Sequence, residues 1–490
     1  MSQSAFRRFA LAGALVLSAL LSGCTINPAT GEPSFTGFMS ESDEARIGRE
    51  SHPEVLKEFG GAYNDPALQA YVSSIGNLLA STSERSNVPF TFTVLNTPVV
   101  NAFAVPGGYI YITRGLLALA NNEAEVAGVL AHEIGHIAAR HSAERYSQQV
   151  LAQIGLMGLG IATGSGELVN LAGTGAMIYL QSYSREQEYE ADELGVRYLS
   201  RANYEPQAMA DFLSSLAADS KLEATIEGHP ESADQFNIMA THPRTVDRVQ
   251  RAVAEAKATT PVPNPITERE IYLDKIDGIL YGDDPDQGFI RGQRFAHPKL
   301  LFEFTAPDGF NLINSADAVQ ASGPKGSGLV FDRAPRSPAG SLTDYIAYDW
   351  ARKIRLSSLE PLTINGMEAA TATASVDTRR GPADLRLVAI RYDAGTVYRF
   401  MFLTPPGLTA SLDPAFRRSA SSFRKLTPAE AAELKPMRVR IITVEPGDSV
   451  ASLAARMPFP NYREERFRTL NGLAPGQGLV AGQRVKLIVE

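Results

Sequence analysis

The chain has a single cysteine, Cys24, in 490 residues. That excludes an internal disulfide framework and a thiolate-rich metal site. Tryptophan occurs once and histidine seven times. Basic charge is also short, with 46 Lys and Arg against 54 Asp and Glu and a formal net charge of -8. Nucleic acid is therefore not an expected partner, because it calls for a basic patch. The apolar runs fall short of the ~20 residues a membrane-spanning helix needs. Val150–Ile161 and Leu168–Leu180 are apolar and glycine-rich but interrupted by Gln153, Glu167 and Asn170. They are expected to form a helical hairpin packed near the active site rather than a span. No 34-residue helical repeat is present.

The first segment carries an address. Arg7-Arg8 precede an uncharged apolar run from Phe9 to Leu21, which suits the h-region of a secretory signal. The run ends in Leu21-Ser22-Gly23-Cys24, which resembles a bacterial lipobox. The resemblance implies a signal peptide over residues 1–23, lipidation of Cys24, and a lipid-anchored tether over 24–40. Acyl chains contribute ~0.8 kcal/mol per buried CH₂, so two or three of them hold a protein on a bilayer. Thr25 follows, not the Asp that commonly retains lipoproteins at an inner membrane. The implied location is the periplasmic side of a Gram-negative outer membrane. Loss of Arg7 and Arg8 with the signal would leave a net charge of -10.

His132-Glu133-Ile134-Gly135-His136 carries the chemistry. Residues four apart share a helix face, so both imidazoles can reach one metal ion. Glu133 then stands beside that ion as a general base for a water. Asn122 is expected to cap the helix, with Glu125 completing a capping box. Val126, Val129, Leu130, Ile134 and Ile137 form its apolar face. A two-histidine site needs a third ligand and one open position. The acidic helix at Ser184–Asp192 offers Glu186, Glu188 and Glu190, and spacing alone does not choose among them. Glu188 and Asp192 share a face at i, i+4, so Glu188 can bind while Asp192 orients a ligating histidine.

Three segments together resemble a known family. They are Asn101–Gly108, the H-E-x-x-H helix and Glu188-Tyr189-Glu190-Ala191-Asp192. The resemblance is to the zinc metallopeptidases grouped with HtpX, the CAAX endopeptidases and the beta-barrel assembly-enhancing protease, and it covers about residues 41 to 258. It implies one Zn²⁺ per chain, Glu188 as third ligand beside His132 and His136, and Asp192 as their support. Thr241–Arg248 also resembles the family. His242 and Arg248 are then expected at the catalytic site, steadying an oxyanion. The alternative for His242 is to occupy the open metal position and hold the enzyme inactive. His141 falls off the metal face and is expected to be structural; His52, His229 and His297 have no supporting pattern.

Two expected strands, Val100–Val105 and Tyr109–Thr113, flank Pro106-Gly107-Gly108. One of them is a candidate edge for pairing with an extended peptide. After the Pro-rich break Thr259–Pro265 the pattern changes. Leu300–Phe304, Gly328–Asp332, Ala369–Val376, Leu385–Tyr392 and Val397–Leu403 read as strands, with a turn at Asp393-Ala394-Gly395. Ile346, Trp350 and Ile354 form a helical stripe, and Ala415–Phe423 a second helix. Ile442–Ser449, Leu453-Ala454, Leu470–Leu473 and Gly482–Leu487 resemble a LysM module, which implies glycan binding, with Asp448 as a helix cap.

The expected architecture is multidomain. A mainly α-helical, gluzincin-type metalloprotease domain with a small β-sheet spans 41–258. A linker at 259–298 leads to an α+β domain at 299–428, and a small βααβ LysM-like domain ends the chain at 439–490. The expected function is a membrane-anchored periplasmic zinc endopeptidase acting on misfolded or stalled envelope proteins, with peptidoglycan as a second partner. The alternative is a chaperone or peptidoglycan-bound scaffold with a latent zinc site. The same zinc chemistry on peptidoglycan cross-links is a third reading.

Overall fold

A computed structural model describes residues 24–151, 182–226, 228, 230, 242, 251, 254, 258, 263–315, 317–378 and 381–490. The signal segment, nearly all of the expected apolar hairpin of Val150–Ile161 and Leu168–Leu180, and Arg248 lie outside them. The chain divides into two compact units, one reaching to Tyr281 and including Arg438–Val489, the other Gly282–Met437 with Glu490. Among the described residues no helix is long and apolar enough to cross a membrane.

The first unit opens with a hairpin, β1 (Cys24–Ile26) against β2 (Pro33–Phe35). Residues expected as a tether are thus folded, because Asn27, Ser34 and Thr36 bury polar groups against the unit. Helix α1 (Glu41–Glu58) starts at a Ser40 capping box and α2 (Pro66–Ser81) at Asp65, with Pro66 in its first turn. A three-stranded sheet has the order β3 (Thr91–Leu95), β5 (Tyr109–Thr113), β4 (Ala102–Val105). β4 is therefore an edge strand and β5 the centre. Gly107 and Gly108 turn between them at φ +85° and +93°, and a side chain on Gly107 would strike the Glu44 carbonyl.

After α3 (Arg114–Leu119) comes the long helix α4 (Glu123–Ala138), buried from Ala124 to Ala138. Asn122 caps it, accepting the Glu125 amide at 2.9 Å. The return bond of the expected capping box goes elsewhere. Glu125 accepts the amide of Asn121 at 2.9 Å, not that of Asn122. Helices α5 (Arg185–Arg201) and α6 (Gln207–Ile226) pack on α4. Glycines set the α4–α5 approach: a Cβ on Gly135 would sit 3.1 Å from the Ala191 carbonyl, and one on Gly195 3.3 Å from the His132 amide.

The stretch expected as a linker instead carries α7 (Arg269–Ile276). Tyr272, Leu273 and Ile276 fall at helical spacing and are fully buried, and the Tyr272 hydroxyl donates to the Leu117 carbonyl. Residues 438–489 then complete the same unit. They run strand (Arg438–Thr443), helix (Val450–Ala454), helix (Arg463–Leu470) and strand (Arg484–Val489), the two strands pairing antiparallel. Ser449, not Asp448, caps the first of these helices; the Asp448 carboxylate is taken by the Glu445 amide in the preceding turn.

This C-terminal module is built into the peptidase half. The Lys486 ammonium is buried and donates to the carbonyls of Ala118, Leu119 and Ala120 at 2.8, 2.8 and 2.7 Å. All three protons are used, on the end of α3, where the helix dipole favours a cation. Arg466 reaches Glu223 at 3.3 Å, and Arg484 pairs with Glu270 and Asp274. Residues 459–466 thus help seat the module, with the Arg466 guanidinium 4.5 Å over the Phe459 ring.

The second unit holds a seven-stranded antiparallel sheet, ordered β12 (Leu356–Ile364), β13 (Met367–Thr378), β14 (Gly381–Asp393), β15 (Thr396–Thr404), β11 (Gly328–Arg333), β10 (Ala318–Ser322), β9 (Asn311–Asn314). A four-stranded sheet combines β6 (Phe289–Arg291), β7 (Arg294–His297) and β8 (Phe302–Thr305) with β16 (Arg424–Lys425). Phe302, Phe304, Phe331, Phe400 and Phe423 fill the core. The unit begins at Gly282, so β6 and β7 come from the expected linker. Strands β9, β10 and β12 carry little apolar alternation and were not expected. Of the stripe Ile346, Trp350 and Ile354, the first two lie in a π-helical turn (Tyr345–Trp350) that follows a short α-helical one (Leu342–Asp344), and Ile354 falls beyond both.

Two predictions follow from burial. Burial lowers His297 from 6.5 to about 4, against the opposing Asp286 carboxylate, so the folded ring is neutral and its Nδ1 accepts the Leu300 amide. The unfolded ring takes a proton below about pH 6.5. Stability from this ring is present above that pH and is lost as pH falls toward 4. Urea unfolding of the second unit should therefore weaken over that window, and less steeply in His297→Asn. Lys486→Met leaves three buried carbonyls without their donor. It should cost about 3 kcal/mol in urea unfolding and expose 438–489 to limited proteolysis.

Candidate metal centre

α4 presents His132, Glu133 and His136 toward α5, and the glycine contact brings Glu188 and Asp192 over them. The Nε2 atoms of His132 and His136 are 3.0 Å apart. Glu188 Oε1 is 3.5 Å from His136 Nε2, and Oε2 is 3.7 Å from His132 Nε2. His242 joins them, its Nδ1 2.8 Å from Glu188 Oε1 and 3.4 Å from His132 Nε2. One donor atom from each of the four residues lies within 4.8 Å of every other, and all four residues are buried.

Donors bound at about 2.0–2.1 Å to a tetrahedral ion stand roughly 3.3 Å apart. The observed separations bracket that value. Three imidazoles and a carboxylate, with no thiolate, form a nitrogen and oxygen donor set suited to a borderline divalent ion. These residues therefore fit a metal. Gathering such groups in an apolar interior without one would be costly.

Each α4 histidine is held from behind. Asp192 Oδ1 lies 2.9 Å from His132 Nδ1. His141 Nδ1 lies 2.8 Å from His136 Nδ1. Sequence spacing had set His141 aside as off the metal face, on the assumption that α4 continues. It does not: Ala139 ends the helix and Arg140 takes φ +61°. That reversal costs an ordinary residue ~1–2 kcal/mol. Arg140 is held in it by Glu44 at 3.1 Å and the Met39 carbonyl at 2.8 Å. The chain folds back and His141 arrives under His136. Tyr183 was also missed; its ring stacks on His136 at 3.9 Å between centroids. No short motif signals either residue.

Glu133 is fully buried, with Oε1 3.5 Å from His242 Nε2. Of the acidic candidates in α5, Glu188 faces the cluster and Glu190 meets His141 and Asn27. Glu186 is exposed. Asn101–Gly108 lies alongside as β4 and its turn. Cys24 begins β1. Arg248 lies outside the described residues.

Residues 66–256 match the family model described as Peptidase family M48, and residues 442–487 match the LysM domain. Beta-barrel assembly-enhancing protease from Yersinia pestis is 32% identical over 229 residues, 45% of this chain and 45% of that protein. The protein of that name from Escherichia coli strain K12 is 32% identical over 221 residues, 43% of each. Mitochondrial metalloendopeptidase OMA1 from Schizosaccharomyces pombe is 29% identical over 214 residues, 42% of this chain and 59% of that one. The chain thus spans about half the length of the curated relatives it matches. Among solved structures, cyanobacterial PsbP from Synechocystis covers 28% of this chain at 18% identity and a TM-score of 0.22. The resemblance read from the three motifs is borne out: the chain carries a domain of peptidase family M48, metallopeptidase in kind, and ends in a LysM domain.

Proposed function

We propose that the chain is a zinc endopeptidase whose ion is held by His132, His136 and Glu188. The observation that carries this is the buried donor cluster with Glu133 one residue from a ligand. When bound, zinc would polarise a scissile carbonyl and acidify a water. Glu133 would take the proton from that water and return it to the leaving amine. Asp192 holds His132 in the tautomer that leaves Nε2 free to bind. Burial keeps bulk water away and strengthens these interactions. β4, at the sheet edge beside α4, is the strand on which an extended substrate would pair.

His242 is the fourth donor, and a site with four protein donors is closed. Of the four, it alone is carried by neither α4 nor α5. It is therefore the donor whose departure opens the site, and we assign it a blocking role in this state. The same four-donor set favours the second reading, a chaperone or scaffold with latent zinc. Arg248 is retained as the cation that would steady an oxyanion once the site opens.

Substrates are proposed to be misfolded or stalled envelope proteins, in keeping with the names of the relatives. The LysM domain suggests peptidoglycan as a second ligand. A groove of about 980 Å³ beside it, lined by Tyr462, Arg468 and Asn471 with Asp211 and Lys221 of the peptidase half, is of a size for a sugar chain. The lipid anchor is proposed to rest on Cys24, on the periplasmic side of the outer membrane.

Purified residues 25–490 should contain about one zinc per chain and cleave casein. Glu133→Gln should keep the zinc and lower cleavage at least ~100-fold. His242→Ala should keep the zinc and raise cleavage. Zinc without cleavage in both wild type and His242→Ala would favour the scaffold, and no zinc would remove the ligand assignment.

A further inference from the structure

Behind His136 the contacts continue outward to the N-terminal hairpin. His141 is fully buried, and the face turned from His136 meets α5: its Nε2 lies 3.4 Å from Glu190 Oε2. That separation, without hydrogen-bond alignment, is an electrostatic contact. The other Glu190 oxygen accepts from Asn27 Nδ2 at 2.6 Å. Asn27 is itself fixed, since its Oδ1 accepts the Ala29 amide at 2.9 Å and its backbone pairs with Glu32 and Gly31. Arg197 of α5 donates to the Ala29 carbonyl at 3.1 Å, pinning the same turn.

The proton positions along this line are forced once His136 binds through Nε2. His136 Nδ1 must then carry hydrogen, and His141 Nδ1 lies 2.8 Å away to accept it. His141 in turn carries its hydrogen on Nε2, pointed toward the Glu190 anion. The line then runs from the ligand His136 through His141 to the carboxylate of Glu190. Asp192 does for His132 in one step what this line does for His136 in two.

We propose that Asn27, Glu190 and His141 are positioning residues for the metal ligand His136, so that the hairpin Cys24–Phe35 is a working part of the metal centre. The proposal rests on the metal-binding reading above. Glu190 raises the donor strength of His136 through His141, and Asn27 holds the Glu190 carboxylate in the rotamer that faces inward. A residue contributed from 163 positions before Glu190 makes metal affinity sensitive to the seating of the N-terminal hairpin.

The test compares wild type, Asn27→Leu, Glu190→Gln and Glu186→Gln as full-length mature chains. Glu186 is an exposed neighbour on the same helix and serves as the control. Zinc affinity is read by competition with a chromogenic chelator, the visible absorption of the cobalt-loaded chain reports ligand geometry, and thermal unfolding of the metal-free chain reports structure alone. Glu190→Gln should weaken zinc binding about 10–100-fold, the usual effect of removing such a support. Asn27→Leu should weaken it several-fold, both should shift the cobalt bands, and Glu186→Gln should do neither. Metal-free unfolding should hardly differ among the four. Unchanged affinity and cobalt bands in Glu190→Gln and Asn27→Leu would overturn the proposal while leaving the metal site standing. Affinity that falls only in step with metal-free stability would overturn it too, as a structural role alone. A wild type that binds no metal would remove the proposal together with the reading beneath it.

Discussion

Two helices that approach almost backbone to backbone make the rest of this centre possible. Gly135 and Gly195 remove the side chains that would hold α4 and α5 apart, and Ala191 is small enough to lie between them. Only at that distance can Glu188, one turn before the contact, and Asp192, just past it, reach His132 and His136. A short carboxylate arm has little slack, so the helix spacing is itself a term in ligand geometry. The H-E-x-x-H pattern places its glycine on the packed face for this reason, and the glycine's helix-propensity cost of about 1 kcal/mol is offset by the closeness it permits.

Placing six ionisable groups in a dry interior would be ruinous if any were left alone. The arrangement answers with contacts in layers. His132 meets Asp192, His136 meets His141, and Glu188 meets His242. The apolar side of α4, from Val126 to Ile137, closes the floor. The same economy appears at the other end of α4. There Lys486 brings a cation to three α3 carbonyls, near the Glu125 carboxylate that receives the Asn121 amide. The two ends of one helix are thus tied, through side chains, to the first hairpin and to the last strand of the unit.

How much of this was legible in the sequence depends on whether a contact is local. The α4 pattern, the pairing of Glu188 with Asp192 on one face, the turn at Gly107 and Gly108 and the strands around Asp393–Gly395 all follow from periods of two or 3.6 residues and from residues with unusual backbone freedom. His141 was illegible because its place depends on Arg140 adopting a left-handed conformation, which Arg does only where distant partners, Glu44 and Met39, hold it. The linker reading failed to see α7 because a Pro-rich stretch says where a chain turns, not where it detaches. Tyr272 and Leu273 find their cavity between elements far off in sequence. Asp448 lost the cap to Ser449 because a turn amide competed for its carboxylate.

The seating of the LysM domain bears on how the whole first unit would behave. A module tethered by a flexible segment could bind a ligand without the peptidase registering it. Here the module's last strand delivers Lys486 to α3, its second helix delivers Arg466 to α6, and its first strand pairs with the chain's own 278–279 through backbone amides. The Lys486 contact lies just before the N-terminal end of α4, the same helix that carries His132 and His136. With the N-terminal hairpin meeting α5 through Asn27 and Glu190, and α5 packed on α4, elements from both ends of the described chain converge on the helix pair that carries the donors.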